Sequence, residues 1–147
     1  MELLEIVKKA VGALEDKKAE DITVIDISEV STIAEREDTA AEVGSGSLLV
    51  YATPCMVALM EGAACEAISE VIPEEKTSVG IELAIKHTAA TPVGLEVRAE
   101  AEVIEVEGSI ITFKIAAYDE TGLIGEGTHK RAIVNTQRFL DKTYSKI

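Results

Sequence analysis

Four side chains in this 147-residue sequence have types and settings that chemistry can use: Thr53, Glu61, His87 and Arg131. Glu61 stands in the run Ala52-Thr53-Pro54-Cys55-Met56-Val57-Ala58-Leu59-Met60-Glu61-Gly62-Ala63-Ala64-Cys65-Glu66, where apolar residues fill almost every place. As a helix, the run puts Glu61 about 140° from Glu66 and about 180° from Glu70, among Val57, Met60 and Ala64 and off the charged face. A carboxylate on an apolar face is costly to desolvate unless a cation or hydrogen bond compensates, and such groups cluster at active sites. The alternative is a Glu whose stem is buried while its head reaches water at a helix–helix or subunit seam.

The other three are read in the same two ways. His87, in Lys86-His87-Thr88-Ala89-Ala90-Thr91-Pro92, ends a strand where an imidazole faces a cleft, although most isolated histidines are structural or exposed. Arg131 lies in Gly125-Glu126-Gly127-Thr128-His129-Lys130-Arg131-Ala132, whose glycines permit close backbone approach; a solvated Arg is the alternative. Thr53 is read as an N-cap, with Pro54 at the first helical position, and only second as a nucleophile or proton relay.

Composition bounds what these residues can serve. A chain of 147 residues that is 47% hydrophobic predicts one main domain with a real core. No 18-residue apolar run is present and the first residues are acidic, so the expectation is a soluble, cytoplasmic protein without a secretory leader. Cys55 and Cys65 lie ten residues apart on one predicted helix, about 15 Å along its axis, and cannot pair with each other. With two Cys and two His, a structural zinc site is not expected. A formal charge of −13 disfavours nucleic acid and anionic lipid, so an anionic ligand would need a local group of Lys, Arg or helix N-terminal amides.

The elements that must position these side chains follow from periodicity. Residues 2–18 read as an amphipathic helix and residues 21–27 as a strand. Residues 30–35 form a further strand, residues 39–47 a loop, and residues 52–71 the central helix, closed by Pro73. In Val79, Ile81, Leu83 and Ile85, then in Leu95 to Val103, then in Ile111, Phe113, Ile115 and Ala117, apolar residues alternate with others, which gives strands with one dry face each. Glu107-Gly108 and Asp119-Glu120-Thr121-Gly122 supply hairpin turns, and the last strand runs from Leu123 to Asn135. The predicted class is α+β: an antiparallel, six-stranded sheet wrapped around one long apolar helix, the hot-dog arrangement. The open edges of such a sheet predict a homodimer, with a tetramer as the larger option.

Three segments also carry a family resemblance. Residues 52–61, His87-Thr88-Ala89-Ala90-Thr91-Pro92 and Gly127-Thr128-His129-Lys130-Arg131-Ala132 resemble the motifs of the fluoroacetyl-CoA thioesterase-like hot-dog family, over about residues 30–140. The resemblance implies a thioester hydrolase with Thr53, Glu61 and His87 as the catalytic group and Gly80 and Arg131 as substrate-binding positions. It implies acyl-CoA as substrate and neither cofactor nor metal. Glu61 would serve as base or as direct nucleophile, His87 as proton shuttle, and Thr53 with a backbone amide would orient the carbonyl. The fluoroacetate-specific member has an aromatic lid before its Thr, whereas Glu42 to Val50 contains no aromatic residue. The implied substrate is therefore a small or medium acyl-CoA; a non-catalytic acyl-CoA binding module is the alternative.

Residues 1–27 are set apart as an extension from the main domain, 28–147. Leu14-Glu15-Asp16-Lys17-Lys18-Ala19-Glu20-Asp21-Ile22 resembles the start of the ribosomal silencing factor (Iojap-like) family, a likeness too short to carry that family's function.

Overall fold

The computed structural model describes residues 27–147; the helix at 2–18, most of the strand at 21–27 and the Iojap-like stretch lie outside them. Strand β1 (Ile27–Ile33) is followed by a 3-10 turn (Arg36–Asp38) and a one-turn helix α1 (Ala40–Val43). The central helix α2 (Thr53–Ile68) comes next, then β2 (Lys76–His87), β3 (Glu96–Glu107), β4 (Ile110–Asp119), β5 (Gly122–Asn135) and a terminal helix α3 (Thr136–Tyr144).

The alternation of β3 and β4 works as the sequence predicts. Val97, Ala99 and Ala101 of β3 and Ile111, Phe113, Ile115 and Ala117 of β4 are all 0% exposed, while Glu96, Arg98, Glu100 and Glu102 face outward. Glu107 pairs with Ile110 and Asp119 with Gly122, so β3, β4 and β5 are joined through two-residue loops at the expected turns. β1 then adds to β3 and β2 to β5, all antiparallel, in the order β1-β3-β4-β5-β2.

Helix α2 lies on the concave face, packed most against β3 and β1. Its buried stripe is Met56, Met60, Ala63, Ala64 and Ile68, the spacing of one helical face. Burying side chains such as Met60 and Phe113 stabilises by roughly 1.5–3 kcal/mol each.

Several expectations are corrected. The sheet has five strands among the described residues, most of the expected strand at 21–27 lying outside them, and it leaves one flank of α2 open: Ala58, Gly62 and Cys65 remain exposed, and β2, the edge strand, only grazes the helix. The N-cap is Ala52, and Thr53 is the first helical residue, so its hydroxyl is not spent on capping. The helix ends at Ile68, short of Pro73, and residues 39–47 contain α1. In β2 the register slips between Gly80 and Glu82, leaving Ile81 as a bulge. Gly80 and Ser78 therefore pair with the inward residues Arg131 and Ile133, while Val79, expected on the dry face, pairs with Ala132 on the outer one. Ile81 and Leu83 are 51% and 39% exposed. Helix α3, which the alternation did not announce, starts where the Asn135 side chain accepts the Arg138 N–H at 3.0 Å. Among the described residues no helix is long and apolar enough to cross a membrane.

Gly127 is where β5 and β2 come closest. A Cβ there would stand 2.0 Å from the Ala84 carbonyl oxygen and 2.7 Å from the Ile85 Cα, both backbone atoms. Gly127→Ala is therefore expected to force β2 away from β5 and to cost on the order of 3 kcal/mol. Chemical denaturation of the two proteins measures this; a loss below about 0.5 kcal/mol, the scale of an ordinary surface change, would show that the strands can part freely.

Candidate active site

Two polar groupings occupy the inner face, one at each end of β2. At its C-terminal end, Thr53 Oγ1 and His87 Nδ1 stand 2.7 Å apart. The first turn of α2 supplies the hydroxyl and the last residue of β2 the imidazole. Burial lowers the pKa of His87, against a backbone hydrogen bond at Ala89 that raises it, so the ring favours its neutral form. Nδ1 accepts from the Thr53 hydroxyl when the ring proton is on Nε2. That atom is buried and has no hydrogen-bond partner among the described residues. A cleft of about 320 Å³ opens beside the pair, lined by Ala40, Ser45, Val50, Tyr51, Ala89 and Ala90 among others. Leu48 and Leu49, 66% and 53% exposed, lie in the segment leading to the cleft and α2.

At the other end Glu61 meets Arg131. Arg131 Nη1 donates to Glu61 Oε2 at 2.9 Å; its Nε donates to Ser78 Oγ at 2.9 Å and its Nη2 to the Ser78 carbonyl at 3.1 Å. Arg131 is 7% exposed, so neither the solvated cation nor a fork free to grip a phosphate describes it: its donors are turned on Glu61 and Ser78. The Glu61 side chain is 41% exposed, and its expected apolar isolation is replaced by this ion pair. The bulge at Ile81 produces the arrangement by turning Ser78 and Gly80 inward.

His129 is a residue that the sequence reading passed over. It is 2% exposed, stacked on Phe113 with ring centroids 6.2 Å apart, and its Nδ1 lies 2.9 Å from the Glu82 carbonyl. Its Nε2 is 3.2 Å from Arg131 Nη1 and 3.7 Å from Glu61 Oε2. Nε2 accepts from Arg131, so the ring proton is placed on Nδ1, facing the carbonyl. The available signal was its place two residues before Arg131, on the same face of the strand. Burial, helped by Asp38, raises the pKa of the Cys55 thiol, which favours its protonated form. A wider cleft, about 630 Å³, lies around Ala84, Lys86, Ile104, Lys114 and Thr128, and none of the candidate residues lines it.

The two groupings belong to one protein but do not meet within one chain. Thr53 and Glu61 are eight residues apart on α2, about 12 Å along its axis. The seven steps along β2 from Gly80 to His87 span roughly 20 Å.

Comparison with known proteins decides the family. The fluoroacetyl-CoA-specific thioesterase family model matches residues 34–137, which include all of these positions. The chain belongs to that family. It is 39% identical over 97 residues to the fluoroacetyl-CoA thioesterase of Streptantibioticus cattleyicolor, covering 66% of this chain and 70% of the relative. A solved structure of a fluoroacetyl-CoA thioesterase superposes with a TM-score of 0.79 at 30% identity, covering 83% of this chain and 95% of that one. A thioesterase superfamily member from Thermus thermophilus gives a TM-score of 0.72 at 27% identity, covering 82% and 94%. The hot-dog fold expected from the sequence is thus shown, and the family match begins beyond the N-terminal extension.

Gly80 makes room for the carboxylate. A Cβ there would lie 2.7 Å from Glu61 Oε2, 3.2 Å from His129 Cε1 and 3.4 Å from Arg131 Nη1. The nearest atom is the end of a flexible, part-exposed side chain, so Gly80→Ala is expected to fold normally and to push the Glu61 carboxylate off Arg131. A crystal structure of the variant reads this directly, and an unmoved ion pair would show that the glycine is not needed for it.

Proposed function

We propose that this protein is an acyl-CoA thioesterase, hydrolysing a small or medium acyl-CoA to the free acid and CoA, with each active site shared between two copies of the chain. The observation that carries the reading is the division of the site: among the described residues, a Thr53–His87 pair with an unpartnered Nε2 stands at one end of an edge strand, and a cation-held carboxylate at the other. Antiparallel pairing of β2 with its counterpart, about a two-fold axis at Ala84 and with the Ile81 bulge taking up one residue, sets Gly80 of one copy opposite His87 of the other. It also covers the exposed Ile81 and Leu83 and the open flank of α2.

Across that seam the parts suit thioester hydrolysis. Glu61, with Oε2 held by Arg131 and Oε1 free, takes a proton from water as its oxygen attacks the thioester carbon. The His87 Nε2–H from the other copy hydrogen-bonds the developing oxyanion, its tautomer fixed by Thr53. The tetrahedral intermediate expels the CoA thiolate, which takes up the proton held by Glu61 and so restores the carboxylate. Water and these side chains suffice, so no cofactor is invoked. Arg131 acts here by placing Glu61, and Gly80 by admitting it; neither is asked to grip the nucleotide. The absence of an aromatic side chain from 42–50 favours an acyl group wider than fluoroacetyl.

Hydrolysis of a series of acyl-CoAs, followed by release of free thiol, is the first test. Glu61→Gln and His87→Ala are each expected to lower kcat/KM by about a hundredfold or more; full activity in both would end this assignment. Mixing the two inactive variants after subunit exchange should restore roughly a quarter of parental activity, because half the dimers then hold one intact site. No recovery in exchanged dimers would place each site within one chain. The acid limb of kcat/KM should fall below the ordinary His value of 6.5, since burial favours the neutral ring and keeps it neutral at lower pH. A midpoint at or above that value would contradict a role for neutral His87.

A further inference from the structure

One buried carboxylate is not used by this chemistry. Asp119, the last residue of β4, is 9% exposed and accepts three hydrogen bonds. Its Oδ1 takes the Thr121 N–H at 2.8 Å and the Thr121 hydroxyl at 2.6 Å, closing the β4–β5 hairpin. Its Oδ2 takes the hydroxyl of Thr91 at 2.8 Å, a residue 28 positions away that is 0% exposed. The Thr121 bonds are enough for the turn. The Thr91 bond goes elsewhere.

Thr91 belongs to the loop that follows His87. Its carbonyl accepts the Tyr51 N–H at 2.8 Å, and its neighbour Pro92 bridges to Val50. Tyr51 is two residues before Thr53, and between them the Ala52 N–H donates to the Asp38 carbonyl at 2.8 Å while the Ala52 carbonyl caps α2. The start of α2 is thus hung from the 88–92 loop. The other end of that loop is tied to the same hairpin: His87 pairs with Gly125, and the N–H groups of Thr88 and Ala89 both reach the Ile124 carbonyl, at 2.7 and 3.3 Å. His87 is anchored to the β4–β5 hairpin through the strand ladder, and Thr53 through Tyr51, Thr91 and Asp119.

We propose that Asp119 and Thr91 are positioning residues for catalysis, a latch that references the Thr53 hydroxyl and the His87 imidazole to one rigid hairpin and so keeps them in hydrogen-bond contact. The carboxylate is suited to the task. Burial alone would raise its pKa, but the hydrogen bonds from Thr121 and Thr91 outweigh that and hold it below the usual range, so the acceptor stays ionised. A 1 Å misplacement caused by a change remote from the reacting atoms can cost a hundredfold in rate. The inference rests on the thioesterase reading only in what the pair is for; the latch itself is a matter of where two side chains sit.

The experiment separates the latch from the turn it shares an aspartate with. Thr91→Val removes the donor at nearly constant shape, Thr91→Ser keeps it, and Thr121→Ala removes the hydroxyl bond of the turn while leaving its N–H bond and the Thr91 bond in place. Thr91→Val is expected to lower kcat about tenfold with KM little changed. Thr91→Ser should return to within about twofold of the parent, and Thr121→Ala should lower Tm while keeping kcat. The same variants are followed by NMR of the His87 ring nitrogens. This readout needs no turnover and therefore survives failure of the thioesterase assignment: Thr91→Val should change the Nδ1 signal that reports the Thr53 bond, and Thr121→Ala should not. If Thr91→Val and Thr121→Ala lose Tm alike while both keep the parental kcat and His87 signals, Asp119 is a turn residue only and the proposal is overturned.

Discussion

A guanidinium removed from water must be compensated where it lies, and Arg131, 7% exposed, is the group around which the β5–β2 side of the molecule is arranged. It sits inward because it alternates with outward Lys130 on β5. Its demands then reach three positions on two other elements. Ser78 faces it only because the Ile81 bulge shifts the start of β2 by one position, Gly80 opposite it leaves room for a carboxylate, and Glu61 reaches it from α2. The benefit is mutual. A flexible carboxylate on the open flank of a helix would sample many rotamers, and the fixed cation selects one, leaving a single oxygen unengaged.

Much of this architecture could be read from the residue pattern. Strict alternation in β3 and β4, two turn signals and a nearly uncharged helix were enough for a curled antiparallel sheet on a central helix, because burial on one face leaves a period-two trace. What the pattern missed came from departures from regularity. A bulge adds one residue to one strand, so the same alternation in β2 pointed Val79 inward when Ser78 and Gly80 hold that place. Thr53 read as a cap because Thr before Pro has that signature, yet the helix begins one residue earlier and frees the hydroxyl for His87.

The candidate site was legible in its members more than in their relations. Thr53, Glu61, His87, Gly80 and Arg131 all stand on the inner face, but in two groups whose separation follows from helix rise and strand length. Arg131 seemed a surface cation because long charged side chains usually are; only the register of β5 against Gly80 shows it turned inward. His129 went unremarked because a lone buried imidazole leaves no spacing signature. Its part, bonding to Arg131 and to the carbonyl next to the bulge, exists only once β2 and β5 are aligned.

The two tight hairpins have a consequence for how the molecule comes to exist. β3, β4 and β5 are joined by two-residue loops, so their pairing closes short stretches of chain and costs little loop entropy. β1 and β2 join that meander across long intervening segments, at its two outer edges. β2 carries Gly80, Ser78 and His87, while the meander already carries His129, Arg131 and Asp119. Topology therefore makes the nucleus from strands that hold the supporting residues, and the strand that completes the chemistry joins across the costlier closure. A chain at that earlier stage would hold Arg131 in place with no carboxylate yet opposite it, so seating α2 and β2 is driven by charge as well as by apolar surface.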